Sequence, residues 1–138
     1  MAFNQMKQSS IWSLRLLDLV ASLVLLALTA VVVLHAHPTS FVWMKPWQRA
    51  VGGDHVLHTV IGALLPWCLA ILCRLLQRSK TQQTVFFLLF PLFYAMDELF
   101  QAITPHREAE WADYWMSLLG WCIAVLGWLF IQAYRLRR

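Results

Sequence analysis

The sequence predicts an all-α, polytopic membrane protein: a four-transmembrane-helix bundle with both termini cytoplasmic. Three observations carry this expectation. The 138 residues are 60% hydrophobic and only 13% charged, with a mean hydropathy of +0.60, whereas a water-soluble domain of this size needs more charge to cover its surface. The apolar residues fall into four runs, each close to the roughly twenty residues that cross a hydrocarbon core. Eight Trp, eight Phe and three Tyr suit helix ends placed at lipid–water boundaries. The length holds one compact unit, a single domain over residues 1–138.

The first span is expected over about residues 11–36, with an unbroken apolar core from Leu19 to Leu34. That core exceeds the roughly 7–15 apolar residues of a signal peptide, and it runs into His35, His37 and Pro38 rather than a small-residue cleavage site. It therefore reads as a retained helix. The connection after it contains Pro38, Pro46, Gly52, Gly53, Trp43 and Trp47, an aromatic content that places it at the membrane interface. The second span is expected over about 54–76, the third over about 85–103 and the fourth over about 111–134, with a polar turn from Gln77 to Thr84. Pro66 and Pro91 fall inside the second and third spans, where neighbouring helices can replace a lost hydrogen bond and lipid cannot.

Lys and Arg set the orientation. With the N-terminus inside, the cytoplasmic side receives Lys7, Arg15, Arg74, Arg78, Lys80, Arg135, Arg137 and Arg138, and the outer side only Lys45, Arg49 and Arg107. The reverse orientation would invert this split of eight to three. The basic residues are spread along the chain rather than massed in one patch, which argues against a nucleic-acid partner. Arg15 and Asp18, three apart, are expected to form a local ion pair. Cys68, Cys73 and Cys122 sit in or beside apolar runs without metal-finger spacing and read as small hydrophobes.

The acidic residues are less ordinary. Asp54 and His58 are four apart and share a face at the outer start of the second helix. Glu98 and Gln101 share a face near the outer end of the third, Arg107 lies in the following connection, and Asp113 opens the fourth. Asp54 and Asp113 read equally well as helix caps. Glu98 does not, because it lies about a turn inside an apolar helix, where a charge needs a partner or a polar cavity. Arg107 is the expected partner, since its planar guanidinium suits a carboxylate. Asp113, Ser117, Gly120, Ala124 and Gly127 step by four, three, four and three, a stripe of mostly small residues that lets two membrane helices approach closely. These patterns predict that Asp54, His58, Glu98, Gln101, Arg107 and Asp113 converge on one outer pocket.

At these residues the chain resembles the VanZ-like membrane proteins. Asp54-His55-Val56-Leu57-His58 resembles that family's Asp-Lys-x-x-His opening. Glu98 and Gln101, then Arg107, Asp113, Ser117 and Gly120, resemble its second block, Glu-x-x-Gln…Arg-x5-Asp-x3-Asn-x2-Gly. The match spans about residues 53–127; His55 stands where Lys is usual and Ser117 where Asn is usual. The resemblance implies a small helical bundle of the bacterial cytoplasmic membrane. Members of the family are associated with low-level teicoplanin resistance or accompany cell-envelope polysaccharide systems, so it implies a cell-envelope role more than a reaction.

Three functions fit these residues. One is a pocket that binds or processes an envelope substrate, lipid-linked or peptidoglycan-related. There the carboxylates and His58 could act as general acid and base, or Asp54, His58, Glu98 and Asp113 could hold a divalent metal, while Arg107 holds an anionic group. The second is a non-catalytic accessory or scaffold subunit, and the third a carrier for a small solute or proton, for which four spans are few. No Ser–His–Asp pattern, phosphate loop or His-Glu-x-x-His is present, so the sequence names no catalytic residue and no cofactor. The expected partners are membrane lipid, a lipid-linked envelope precursor, and another membrane protein or further copies of this chain.

Overall fold

The computed structural model describes the backbone of residues 2–36, 46, 50, 52–103 and 110–137, with the side chains of the first helix described from Leu14 to Leu34. Four helices account for nearly all of this: α1 (Ala2–Ala36), α2 (Asp54–Leu72), α3 (Lys80–Ile103) and α4 (Trp111–Leu136). Each is long and apolar enough to cross a membrane. Large apolar side chains such as Leu26, Phe93, Ile123 and Phe130 cover the outside. Exposure of apolar surface on this scale marks contact with lipid, and the chain is a multi-pass membrane protein.

Three helix ends fall away from their expected positions: α1 begins at Ala2 rather than near residue 11, and the other two differ for local reasons. α2 stops at Leu72, because Arg74 takes the left-handed conformation (φ 52°) and starts a 3₁₀ turn over Leu75–Gln77. α3 begins at Lys80 rather than near residue 85. Its start is a reciprocal cap: the Ser79 N–H donates to Gln82 Oε1 at 3.1 Å, and the Gln82 N–H donates to Ser79 Oγ at 3.3 Å. This Ser-x-x-Gln capping box lies within what the sequence reads as a turn. Ahead of α2, Gly52 and Gly53 hold φ of 102° and 96°, a backbone conformation that residues with a Cβ rarely adopt. The expected interfacial placement of Trp43 and Trp47 lies outside the described residues.

The largest helix–helix interface joins α2 to α4, which run parallel. The stripe of small residues on α4 makes this possible. A methyl group built on Gly120 would overlap the Thr59 carbonyl oxygen and come within 2.8 Å of the Ala63 nitrogen, and one on Gly62 would overlap the Ser117 carbonyl oxygen. Ser117, Gly120 and Ala124 are buried, and further along Gly127 meets the Trp67 ring. The stripe therefore faces α2, as its spacing predicts.

α3 packs antiparallel against α4, and neighbouring helices supply the hydrogen bonds that the prolines remove. Pro66 has no N–H, which leaves the Gly62 carbonyl of the preceding turn without its helical donor; the Tyr94 hydroxyl donates to it at 3.1 Å. Pro91 does the same to the Phe87 carbonyl, and Trp121 Nε1 donates to that at 2.9 Å. Each proline is thus tolerated because an aromatic donor on a neighbouring helix replaces the lost partner. Towards the end carrying the chain termini, Gln83 is buried and bonded through both atoms of its amide: its Nε2 donates to the Arg78 carbonyl (2.8 Å) and its Oε1 accepts from Trp128 Nε1 (3.0 Å) and from Gln132 Nε2. Ala70, Leu75, Phe87, Ala124 and Trp128 form the apolar core around it.

α1 is attached differently. Ala21 and Leu28 are its only buried side chains among those described, and its substantial interface is with α2 alone. Asp18, which the sequence pairs locally with Arg15, makes a cross-helix pair. α1 packs antiparallel on α2, which brings the turn after α2 level with Asp18, and Arg74 donates to its carboxylate.

Candidate functional site

Because α2 and α4 run parallel, their first turns lie side by side at the end of the bundle away from the termini. Three polar positions on α2 face two on α4. His55 Nδ1 lies 2.9 Å from Asp113 Oδ1. His58 turns its Nε2 to Asp113 Oδ2 at 3.6 Å and to Asp54 Oδ1 at 3.9 Å, while its Nδ1 meets Ser117 Oγ at 3.3 Å. Asp113 and His58 are largely shielded, with side-chain exposures of 7% and 14%, whereas His55 is half exposed. Neither Asp54 nor Asp113 occupies an N-cap position: those are Gly53 and Glu110. Both carboxylates still lie in a first turn, where the helix dipole favours negative charge.

Glu98 and Gln101 approach from the antiparallel helix α3, and both are 5% exposed. Gln101 Nε2 donates to Asp97 Oδ2 at 3.0 Å. Glu98 accepts the main-chain N–H of Glu110 at the start of α4 and lies within electrostatic reach of His58, Asp113 and Asp97. Its second oxygen, Oε2, is buried and has no hydrogen-bond partner among the described residues. A buried carboxylate oxygen left this way is costly.

Beside these residues lies a cavity of about 240 Å³. Its polar wall is Asp54, His58, Asp97, Gln101 and Ser117, and its apolar wall includes Val31, Val32, Ile61, Leu65 and Phe93. The polar groups gather towards the start of α2, and the apolar lining extends beyond them to Leu65, about 16 Å further along α2 than Asp54 at 1.5 Å per residue. α1 and α3 line opposite sides and share no substantial interface. Val32 and Phe93 are both lining and exposed, so the cavity reaches the lipid-facing surface between these two helices.

Of the six residues singled out from the sequence, Asp54, His58 and Asp113 form one cluster. Glu98 stands close behind it, and Gln101 lies in the adjoining cavity wall. Arg107, with its expected pairing to Glu98, lies outside the described residues. The sequence reading passed over His55, Asp97 and Ser117 as site residues. Ser117 was legible, since it follows Asp113 by four and must share its face; its small size drew it into the packing stripe instead. His55 sits one position from Asp54 and bonds across the seam, a contact that no spacing within α2 reveals.

No family model, curated protein or solved structure matches the chain.

Proposed function

We propose that the chain is a VanZ-like protein of the bacterial cytoplasmic membrane whose outer-leaflet pocket binds or processes a lipid-linked cell-envelope substrate. The observation that carries this reading is the two-walled cavity. Its apolar half can take a hydrocarbon chain arriving sideways between α1 and α3, and its polar half holds hydrogen-bonding and titratable groups level with a headgroup. Ligand sites combine mostly apolar walls with a few convergent polar groups in this way. The orientation rests on the excess of Lys and Arg on the side of the termini, which puts the polar wall outside. His58 is the residue best placed to exchange a proton with a bound headgroup, because it lines the cavity and is held by Ser117 on one nitrogen.

The test is native mass spectrometry of the purified protein. The expected result is a co-isolated isoprenoid or other lipid-linked phosphate, which Leu65→Trp displaces by filling the apolar wall. Retention of bulk phospholipid alone, equally in both proteins, would count against the reading.

A second reading has one observation in its favour. Glu98 accepts the Glu110 main-chain N–H and thereby ties α3 to the start of α4, as a structural clamp would. The clamp reading expects Glu98→Leu, which removes the acceptor of that N–H, to unfold the protein; the pocket reading expects it to fold.

A further inference from the structure

We propose that Asp54, His58 and Asp113 form a divalent metal site, of the oxygen-and-imidazole type that takes Zn²⁺ or Mn²⁺, at the polar end of the cavity. One ligand atom from each residue falls within a common 4.8 Å. The separations have the right character. His58 Nε2 stands 3.6 Å from Asp113 Oδ2 and 3.9 Å from Asp54 Oδ1, too far for hydrogen bonds. Metal–ligand bonds of about 2.0–2.2 Å set neighbouring ligand atoms about 3.3–3.6 Å apart in a tetrahedral shell, so a small inward adjustment brings all three onto one ion.

The surroundings are those of a supported site. Ser117 Oγ at 3.3 Å from His58 Nδ1 fixes the ring with its other nitrogen towards the carboxylates, and His55 bonds the Asp113 oxygen that the cluster does not use. Metal-ligating imidazoles and carboxylates are commonly held by such outer partners.

An independent observation points to a cation. The Glu98 carboxylate is 5% exposed and interacts electrostatically with His58 and Asp113, yet its Oε2 is buried without a hydrogen-bond partner among the described residues. Among the residues whose side chains are described, the only basic ones at this end of the bundle are His55 and His58, set against Asp54, Asp97, Glu98, Glu110 and Asp113. A buried carboxylate in such company calls for positive charge. A second triad, His55, Glu110 and Asp113, also meets the distance condition, but two of its members are exposed and it lies off the cavity.

This inference rests on the pocket reading in one respect only: the metal would let a carboxylate-rich wall accept an anionic phosphate headgroup. Metal binding is therefore measured on its own. Chelator-treated, untagged protein in detergent is titrated calorimetrically with Zn²⁺ and, separately, Mn²⁺, with circular dichroism confirming that each variant is helical. The expected result is about one equivalent bound per chain, lost in His58→Gln and in Asp113→Asn and retained in Glu110→Gln. Ser117→Ala and His55→Gln, which remove supporting contacts, should keep the stoichiometry and weaken affinity by about 10–100-fold. No saturable binding by the wild type overturns the site, as does binding that survives both His58→Gln and Asp113→Asn. Loss in Glu110→Gln with retention in His58→Gln overturns it in favour of the exposed triad. The two readings separate on lipid capture. Metal bound without lipid-linked phosphate defeats the pocket reading alone, and lipid-linked phosphate held by protein that binds no metal defeats the metal site alone.

Discussion

Two polar clusters lie inside this bundle, one near each end, and they are built on opposite principles. Around Gln83 each described polar group meets a partner: the amide donates to Arg78 and accepts from Trp128 and Gln132. Around His58 the network closes only in part: His55 bonds Asp113 and Ser117 bonds His58, but His58 Nε2 stands 3.6 and 3.9 Å from two carboxylates, and Glu98 Oε2 has no hydrogen-bond partner among the described residues. In a membrane interior, unsatisfied polar groups cost several kcal/mol in the worst case. A cluster that closes on itself is explained by stability. One that does not close is explained by what it binds, because proteins hold such features where function requires them.

Substitutions should separate these two kinds of site. The largest effect is expected in the seam that positions both. Gly120→Leu forces a side chain into space where even a methyl group meets the backbone of α2, and it should cost about 3 kcal/mol or prevent folding. Thermal unfolding in detergent reads it, and a variant as stable as wild type would show that the seam is looser than described. Next is Gln83→Leu, which strips partners from Trp128, Gln132 and the Arg78 carbonyl together; a loss of about 1–3 kcal/mol is expected. Tyr94→Phe removes one hydrogen bond from the carbonyl that Pro66 leaves open, and should cost about 0.6–1.7 kcal/mol. Its effect should vanish in a Pro66→Ala background, where the helix supplies its own donor. Glu98→Gln should have the smallest effect on stability, within about 0.5 kcal/mol or stabilising. The amide oxygen still accepts the Glu110 N–H, and a buried charge is removed. Global unfolding of Glu98→Gln would instead show that the carboxylate itself, beyond the Glu110 N–H that the amide keeps, holds the bundle together.

Much of this architecture was legible in the sequence because the membrane simplifies the problem. Four apolar runs give four helices, and the rhythm of Ser117, Gly120 and Ala124 gives the face on which α4 meets its neighbour. Asp54 with His58, and Glu98 with Gln101, were legible for the same reason: helical periodicity fixes which residues share a face. Contacts between helices were not. Arg74 reaches Asp18 and His55 reaches Asp113, because antiparallel α1 and parallel α4 bring together residues far apart in the chain. The early start of α3 was missed for a different reason: Ser79 and Gln82 spell a capping box inside a segment whose polarity reads as a turn. The apolar wall of the cavity was also hidden, since Val31, Ile61 and Phe93 look like any other lipid-facing residues until α1 and α3 are seen to stand apart.

The most direct test of the contrast between the clusters is lipid occupancy of His58→Gln by native mass spectrometry, on protein whose thermal unfolding matches wild type. His58 lines the cavity and meets Asp54, Asp113 and Ser117, so the account predicts a folded bundle that no longer retains lipid-linked phosphate. A folded variant that keeps the same lipid at wild-type occupancy would contradict it.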